Sequence, residues 1–324
     1  MQRLRLFFLG IISIFLIGCE APLNLDLMVA EKNNFVHRSD RFQKITRNND
    51  AIVLVGSFGT ILVSNDDGVT WSRQNLKSQD TLIDVTTCPD SSFVALGLEG
   101  LIWRSEDNGK TWISYELSTN ETPQTLDCAP DGKIWVAGSY TTFFSSADKG
   151  LTWKSESLDE DMIISYIKFF NASDGIATAE FGMIIKTHDG GNTWNLQPSM
   201  PNEFYPIASL FTDMNTGWVA GLGGKMFFTN DGGENWINEI TNVPVPIYSL
   251  SIDSTKIYAL GALGTLLVRQ LDKTVAPKWL AFETDINIRT YLRASLPIEN
   301  HIIVAGGSGT LVRLANSNSG SVNE

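Results

Sequence analysis

The sequence predicts an all-β fold: a seven-bladed β-propeller with four antiparallel strands per blade, closed by an N-terminal strand. An octapeptide returns five times, beginning at Ser64, Ser105, Ser146, Thr187 and Thr229, so the starts lie 41, 41, 41 and 42 residues apart. Ahead of each copy stand two short apolar runs separated by small residues, and the pair recurs twice more without an octapeptide. The residues Gly56, Gly97, Gly138, Ala179, Gly221, Gly261 and Gly306 thereby mark seven units. No helical period longer than a turn interrupts the strands. A four-strand unit of about 40 residues cannot bury its faces alone and is stabilised by stacking on its neighbours.

The chain opens with Arg3 and Arg5, an apolar run from Leu6 to Ile17, and Leu16-Ile17-Gly18-Cys19. A basic end, a short hydrophobic segment and a small residue before the cut describe a secretory signal over residues 1–18. The run is too short to span a bilayer comfortably. The tetrapeptide resembles the lipobox of bacterial lipoproteins, which implies that Cys19 becomes the lipidated first residue. The mature protein would then sit on a bacterial membrane, facing the periplasm, or the thylakoid lumen in a photosynthetic host.

Residues 19–34 read as a lipid-anchored tether. The seventh unit supplies three strands and then dissolves into Ala315-Asn316-Ser317-Asn318-Ser319-Gly320. An open edge invites aggregation, so part of the N-terminal segment, from Leu25 to Val36, is the expected donor of the missing strand. The propeller is expected over 35–314 as one domain, with 315–324 a disordered tail. The innermost strands are expected near Arg41–Thr46, Leu82–Thr87, Gln124–Ala129, Ile163–Phe169, Ile207–Thr212, Ile247–Ile252 and Arg289–Ser295.

The octapeptide, an Asp-box, reads as a hairpin turn. The aspartates Asp66, Asp107, Asp148, Asp189 and Asp231 can accept hydrogen bonds from their own turns. Gly68, Gly109, Gly150, Gly191 and Gly233 supply a positive φ. Trp71, Trp112, Trp153, Trp194 and Trp236 cover the outer end of a small sheet. These residues are therefore read as structural.

Hydrophobic residues make up 43% and charged residues 19%, the balance of a packed globular protein. The net charge is −12, or −14 once Arg3 and Arg5 are removed. Nucleic acid is excluded as a partner, because phosphate binding needs a basic stripe. Cys88 and Cys128 fall on neighbouring inner strands but are offset by one place. Alternation points their side chains to opposite faces, so two small buried hydrophobes are expected in preference to a bridge, although the sequence leaves the question open.

Asp-boxes are best known from sialidases, which need an arginine triad, a tyrosine nucleophile with a glutamate partner and an acid/base over the central axis. Arg41, Arg289 and Arg293 fall on expected innermost strands, and Tyr166 or Tyr291 could reach the axis. The turns are too short to build a pocket, so no catalytic residue is assigned, and a glycan-binding or glycoside-hydrolysing propeller stays the alternative. His37, His188 and His301 have no ligand spacing, and no metal or cofactor is expected.

The lipobox, a single seven-bladed ring and near-uniform copies of Gly-x-x-Gly followed by the box resemble the photosystem II stability/assembly factor family over roughly residues 40–314. The resemblance implies a non-enzymatic chaperone that binds newly made membrane-protein subunits and assists complex assembly. Photosynthetic members carry an arginine-rich patch, of which Arg289 and Arg293 would be the remnant in this acidic chain.

In a propeller, the turns between second and third strands share one face with the connections between blades. Phe58, Tyr140 and Phe181 occupy such turns, and Phe204 and Tyr205 occupy a connection. With Arg289 and Arg293 they form the expected partner-binding surface, since exposed aromatics ringed by charge mark interaction sites.

Overall fold

The computed structural model describes residues 34–315 apart from 273 and 275. Seven antiparallel sheets follow one another along the chain, each in simple meander order. Blade 1 is β1 (Phe42–Arg47), β2 (Ile52–Gly56), β3 (Thr60–Ser64) and β4 (Ser72–Asn75). Blades 2 to 6 span 82–116, 123–157, 164–196, 206–239 and 247–281 with four strands each, and blade 7 spans 292–315 with three among the described residues.

The second strand shows why the sheets stack. Ile52–Gly56 is buried at every position rather than at alternate ones, because a blade has a neighbour on both faces. Val53 and Val55 enter a core with Val85, Phe93 and Ala95 of blade 2. Ile52 and Leu54 enter another with Ala294, Ile303 and Ala305 of blade 7. Five further clusters occupy the remaining blade-to-blade spaces. The circle is therefore closed by side-chain packing between blades 7 and 1. Outermost strands face water, as in Lys154–Ser157, exposed throughout.

Residues 25–33 of the expected closing strand lie outside the described residues, as do Cys19 and the signal. Phe35 and Val36, at its described end, form a bend rather than a strand. Val36 packs into the core between blades 7 and 1, and the Phe35 carbonyl accepts a hydrogen bond from Arg73 Nη1 at 3.1 Å.

The expected innermost strands agree with the observed ones within a residue, except the last. Leu82–Thr87 and Ile247–Ile252 carry the expected bounds. In blade 7 the strand is Leu292–Ile298, which leaves Arg289 in the connection before it. Arg41 likewise stands just before β1.

Cys88 and Cys128 form a disulfide, with Cα atoms 5.2 Å apart. This corrects the sequence-based preference for two unlinked cysteines. The alternation argument holds: their positions in the register do point to opposite faces. But they lie in consecutive blades packed face to face, and there opposite faces are the ones that meet. Both sulfurs sit in the core shared by blades 2 and 3, beside Leu96, Leu126 and Ile134.

Candidate functional site

The octapeptides lie between third and fourth strands, at one end of the propeller. Ser64 Oγ donates to Asp66 Oδ1 (2.8 Å) and accepts from the Gly68 N–H (2.9 Å). Asp66 also accepts from the backbone and hydroxyl of Thr70, at 2.9 and 2.6 Å. The same bonds recur around Asp107, Asp148 and Asp189, and Asn235 takes the threonine's part at Asp231. The threonine hydroxyls and amides hold Asp66, Asp148 and Asp189 at about 2, and the Asn235 amides do the same for Asp231.

Gly191 shows what the turn does for packing. It has φ +78, and a Cβ there would come within 2.0 Å of Trp135 in the preceding blade. Gly109 and Gly233 face the preceding blade in the same way. The indoles of Trp71, Trp112 and Trp153 donate back to their own glycine carbonyls. The octapeptides are thus committed to their own turns and to blade stacking.

The opposite end has a different character. Six of its seven hairpins place the two central turn residues at positive φ: Phe58-Gly59, Tyr140-Thr141, Phe181-Gly182, Gly223-Gly224, Leu263-Gly264 and Ser308-Gly309. Such a type I′ turn favours Asn or Gly in its first central place, because a bulky side chain is strained at positive φ. Here that place holds Phe58, Tyr140, Phe181 and Leu263, which are 59%, 53%, 54% and 73% exposed. Neither backbone preference nor burial accounts for large apolar groups there. Tyr205 (43% exposed) and Ile286 (47%) add to the same face from the connections.

Phe204 does not belong to this surface. It is 4% exposed, packs in the core between blades 4 and 5, and meets Phe227 edge to face at 5.0 Å. A Cβ on Gly221 would stand 2.6 Å from its ring. In extended chain, neighbours point oppositely, so of Phe204 and Tyr205 one must turn in. Asp80 fills the equivalent niche against Gly97, a signal that superposing the repeats would have revealed.

Tyr205 instead donates to Glu180 Oε1 at 2.6 Å, while Glu180 Oε2 accepts from the Ile163 N–H at 3.0 Å. The hydrogen bond to Glu180, with burial, pushes the Tyr205 phenol up to about 12. The sequence gives no hint of this pair, whose members are 25 residues apart.

The central channel is lined in part by Lys44, Asp84, Tyr166, Tyr248 and Arg293. Asp84 is occupied: Lys44 stands 3.8 Å away, and Thr125 Oγ1 and the Leu126 N–H donate to it. Burial pushes the Tyr166 phenol above its ordinary value, and its oxygen accepts from the Phe211 N–H at 3.3 Å. Arg293 lines the channel, whereas Arg41 and Arg289 lie in connections, so the three arginines do not share an innermost-strand layer. Tyr291 sits before the innermost strand, edge to face with Tyr248 at 6.3 Å. His37, His188 and His301 stay apart, and no group of three potential metal ligands occurs among the described residues.

No protein-family model matches the sequence. The chain is 30% identical over 82 residues to the photosystem II assembly lipoprotein Ycf48 of Synechococcus sp. (strain CC9902), a match spanning 25% of this chain and 25% of that relative. Among solved structures, Ycf48 from Cyanidioschyzon merolae superposes with a TM-score of 0.70 at 17% identity, covering 86% of this chain and 97% of that one. Ycf48 bound to a D1 peptide gives 0.69 at 16% identity, with 86% and 92% covered. Virginiamycin B lyase from Staphylococcus aureus shares the fold as well, at 0.71 and 13% identity over 88% and 96%. Over one stretch of its sequence, and in fold along most of its length, the chain is similar to Ycf48, a representative of the photosystem II assembly factors that its repeats resemble.

Proposed function

We propose that the protein is a non-enzymatic, membrane-anchored propeller scaffold that binds a protein partner, in the manner of factors assisting assembly or stability of photosystem II or another membrane-protein complex. The observation that carries this reading is the set of exposed, backbone-strained Phe58, Tyr140, Phe181 and Leu263 on one face. Strain of about 1–3 kcal/mol at such a position persists where function uses the side chain. A Ycf48 structure with a bound D1 peptide supports a protein segment as the ligand class. The Cys88–Cys128 disulfide supports export, because such bonds persist in oxidising compartments. Cys19 is the proposed lipidation site, and a membrane-protein subunit is the proposed partner.

The test is a photo-crosslinking residue at Phe181, compared with one at Val69 on the octapeptide end, in native membranes. Adducts to a membrane-protein subunit from position 181 alone are expected. Adducts from both ends equally would refute the face, and turnover in a sialoside and oligosaccharide screen would refute the non-enzymatic reading.

A further inference from the structure

The proposed binding face is not uniform in charge. On blades 3 and 4 it is built from residues 117–122, 139–141, 158–163, 180–182 and 197–205. These stretches carry Glu121, Asp159, Glu160, Asp161 and Glu180, and not one lysine or arginine. Elsewhere on the face both signs occur: Lys77 with Glu99, and Arg289 with Glu283 and Asp285. The aromatic part of the face and its unbalanced negative charge therefore coincide.

Within this arc lies a groove of about 360 Å³ on blade 3, lined by Tyr140, Glu121, Asp159, Thr142 and Phe144 among others. Its walls are held in place. Ser139 Oγ donates to Glu121 Oε2 at 2.7 Å, and the Thr122 N–H donates to Ser139 Oγ at 2.9 Å. On the other side, Ser157 Oγ donates to the Tyr140 carbonyl (2.8 Å) and accepts from the Asp159 N–H (3.0 Å). Only one Glu121 oxygen is used, and no ion pair reaches either carboxylate among the described residues. Phe144, 5% exposed, supplies an apolar wall.

Resting on the reading of this face as a protein-binding surface, we infer that the groove receives a lysine or arginine side chain from an extended, apolar-flanked segment of the partner. The alkyl stem of such a side chain lies along an apolar wall while its head stays polar. Two carboxylates meet that head, and a tyrosine ring contributes a cation–π contact. Phe181 and Tyr205, the latter fixed by Glu180, take the apolar flanks on the next blade. The chain's net charge of −12 steers the same class of segment towards the face from a distance.

The probes are labelled twelve-residue peptides of alternating leucine and lysine, with glutamine and glutamate counterparts, titrated against the full chain by fluorescence anisotropy at physiological salt. The lysine peptide is expected to bind at least tenfold more tightly than the glutamine peptide. Tyr140→Ala, which changes no charge, and the pair Glu121→Gln with Asp159→Asn should each weaken it about tenfold. The pair Asp131→Asn with Glu234→Gln, equal in charge but in exposed turns at the octapeptide end, should leave it unchanged. Thermal melts check that each variant is folded.

If both charge pairs weaken binding alike and Tyr140→Ala does nothing, attraction is only to the overall field and the groove is overturned. If Phe58→Ala with Leu263→Ala abolishes binding while the groove variants do not, the groove falls and the face stands. If no variant on this face matters, the face reading falls with it.

Discussion

Replacing both Cys88 and Cys128 with alanine removes the only disulfide among the described residues, a cross-link between blades 2 and 3, and its cost follows from the loop that it closes. The two residues are 40 apart in sequence, so the bridge closes a loop of one blade's length in the unfolded state. Loop-closure entropy for such a loop amounts to about 4 kcal/mol at 25 °C. A domain of this size shifts by roughly 2 °C per kcal/mol, so the expected loss is about 8 °C in Tm. The substitution also removes two sulfur atoms from the core beside Leu126 and Ile134, which adds to the loss rather than offsetting it. Urea unfolding of wild type with and without reductant, beside the double variant, separates the two contributions. Reduced wild type should fall near the variant, and intact mass after alkylation without reduction should show no label at either position. Coincident oxidised and reduced midpoints, or labelled thiols, would refute the inter-blade bridge and the geometric argument for it.

Acid should loosen the octapeptide turns. Asp66, Asp148, Asp189 and Asp231 titrate at about 2 in the folded chain, below the unfolded value near 4. Their contribution is fully present above pH 4 and is lost as pH falls towards 2, which a Tm-against-pH series will show. Asp80 should behave oppositely: burial raises it, and its Oδ2 has no hydrogen-bond partner among the described residues. Asp80→Asn should therefore raise stability at pH 7 by on the order of 1 kcal/mol in denaturant titration. Glu239 accepts from Arg269 at 2.9 Å and from Trp279 Nε1 at 2.7 Å, tying blade 5 to blade 6. Glu239→Ala strands a buried guanidinium and should cost about 3–5 kcal/mol by urea unfolding. Leu263→Asn should be close to neutral, within about 1 kcal/mol, because relief of strain at positive φ offsets a side chain already 73% exposed.

Blade number was legible because it is written in period: the 41-residue spacing and the seven small residues follow directly from one stacking unit repeated. The innermost strands were placed well wherever the connection before them is short. Arg289 was misplaced because the connection into blade 7 is long, and only the pairing of Leu292 with Gly306 fixes where that strand begins. Phe204 and the cysteines failed for a shared reason. Both depend on what meets across the space between two blades, whereas hydrophobic pattern reports only which residues avoid water. The repeat register supplies the missing relation: it sets Asp80 and Phe204 in equivalent niches and brings Cys88 against Cys128. The proposed binding face poses the converse problem. Phe58, Tyr140, Phe181 and Leu263 look like ordinary apolar residues in a short turn. Only the backbone dihedrals reveal that each occupies a place where Asn or Gly would sit without strain. The repeat register already sets Phe58, Tyr140 and Phe181 in turns at this end as exposed aromatics; what it does not carry is the conformation in which they are held, and that conformation, not hydrophobicity, separates them from other apolar turn residues.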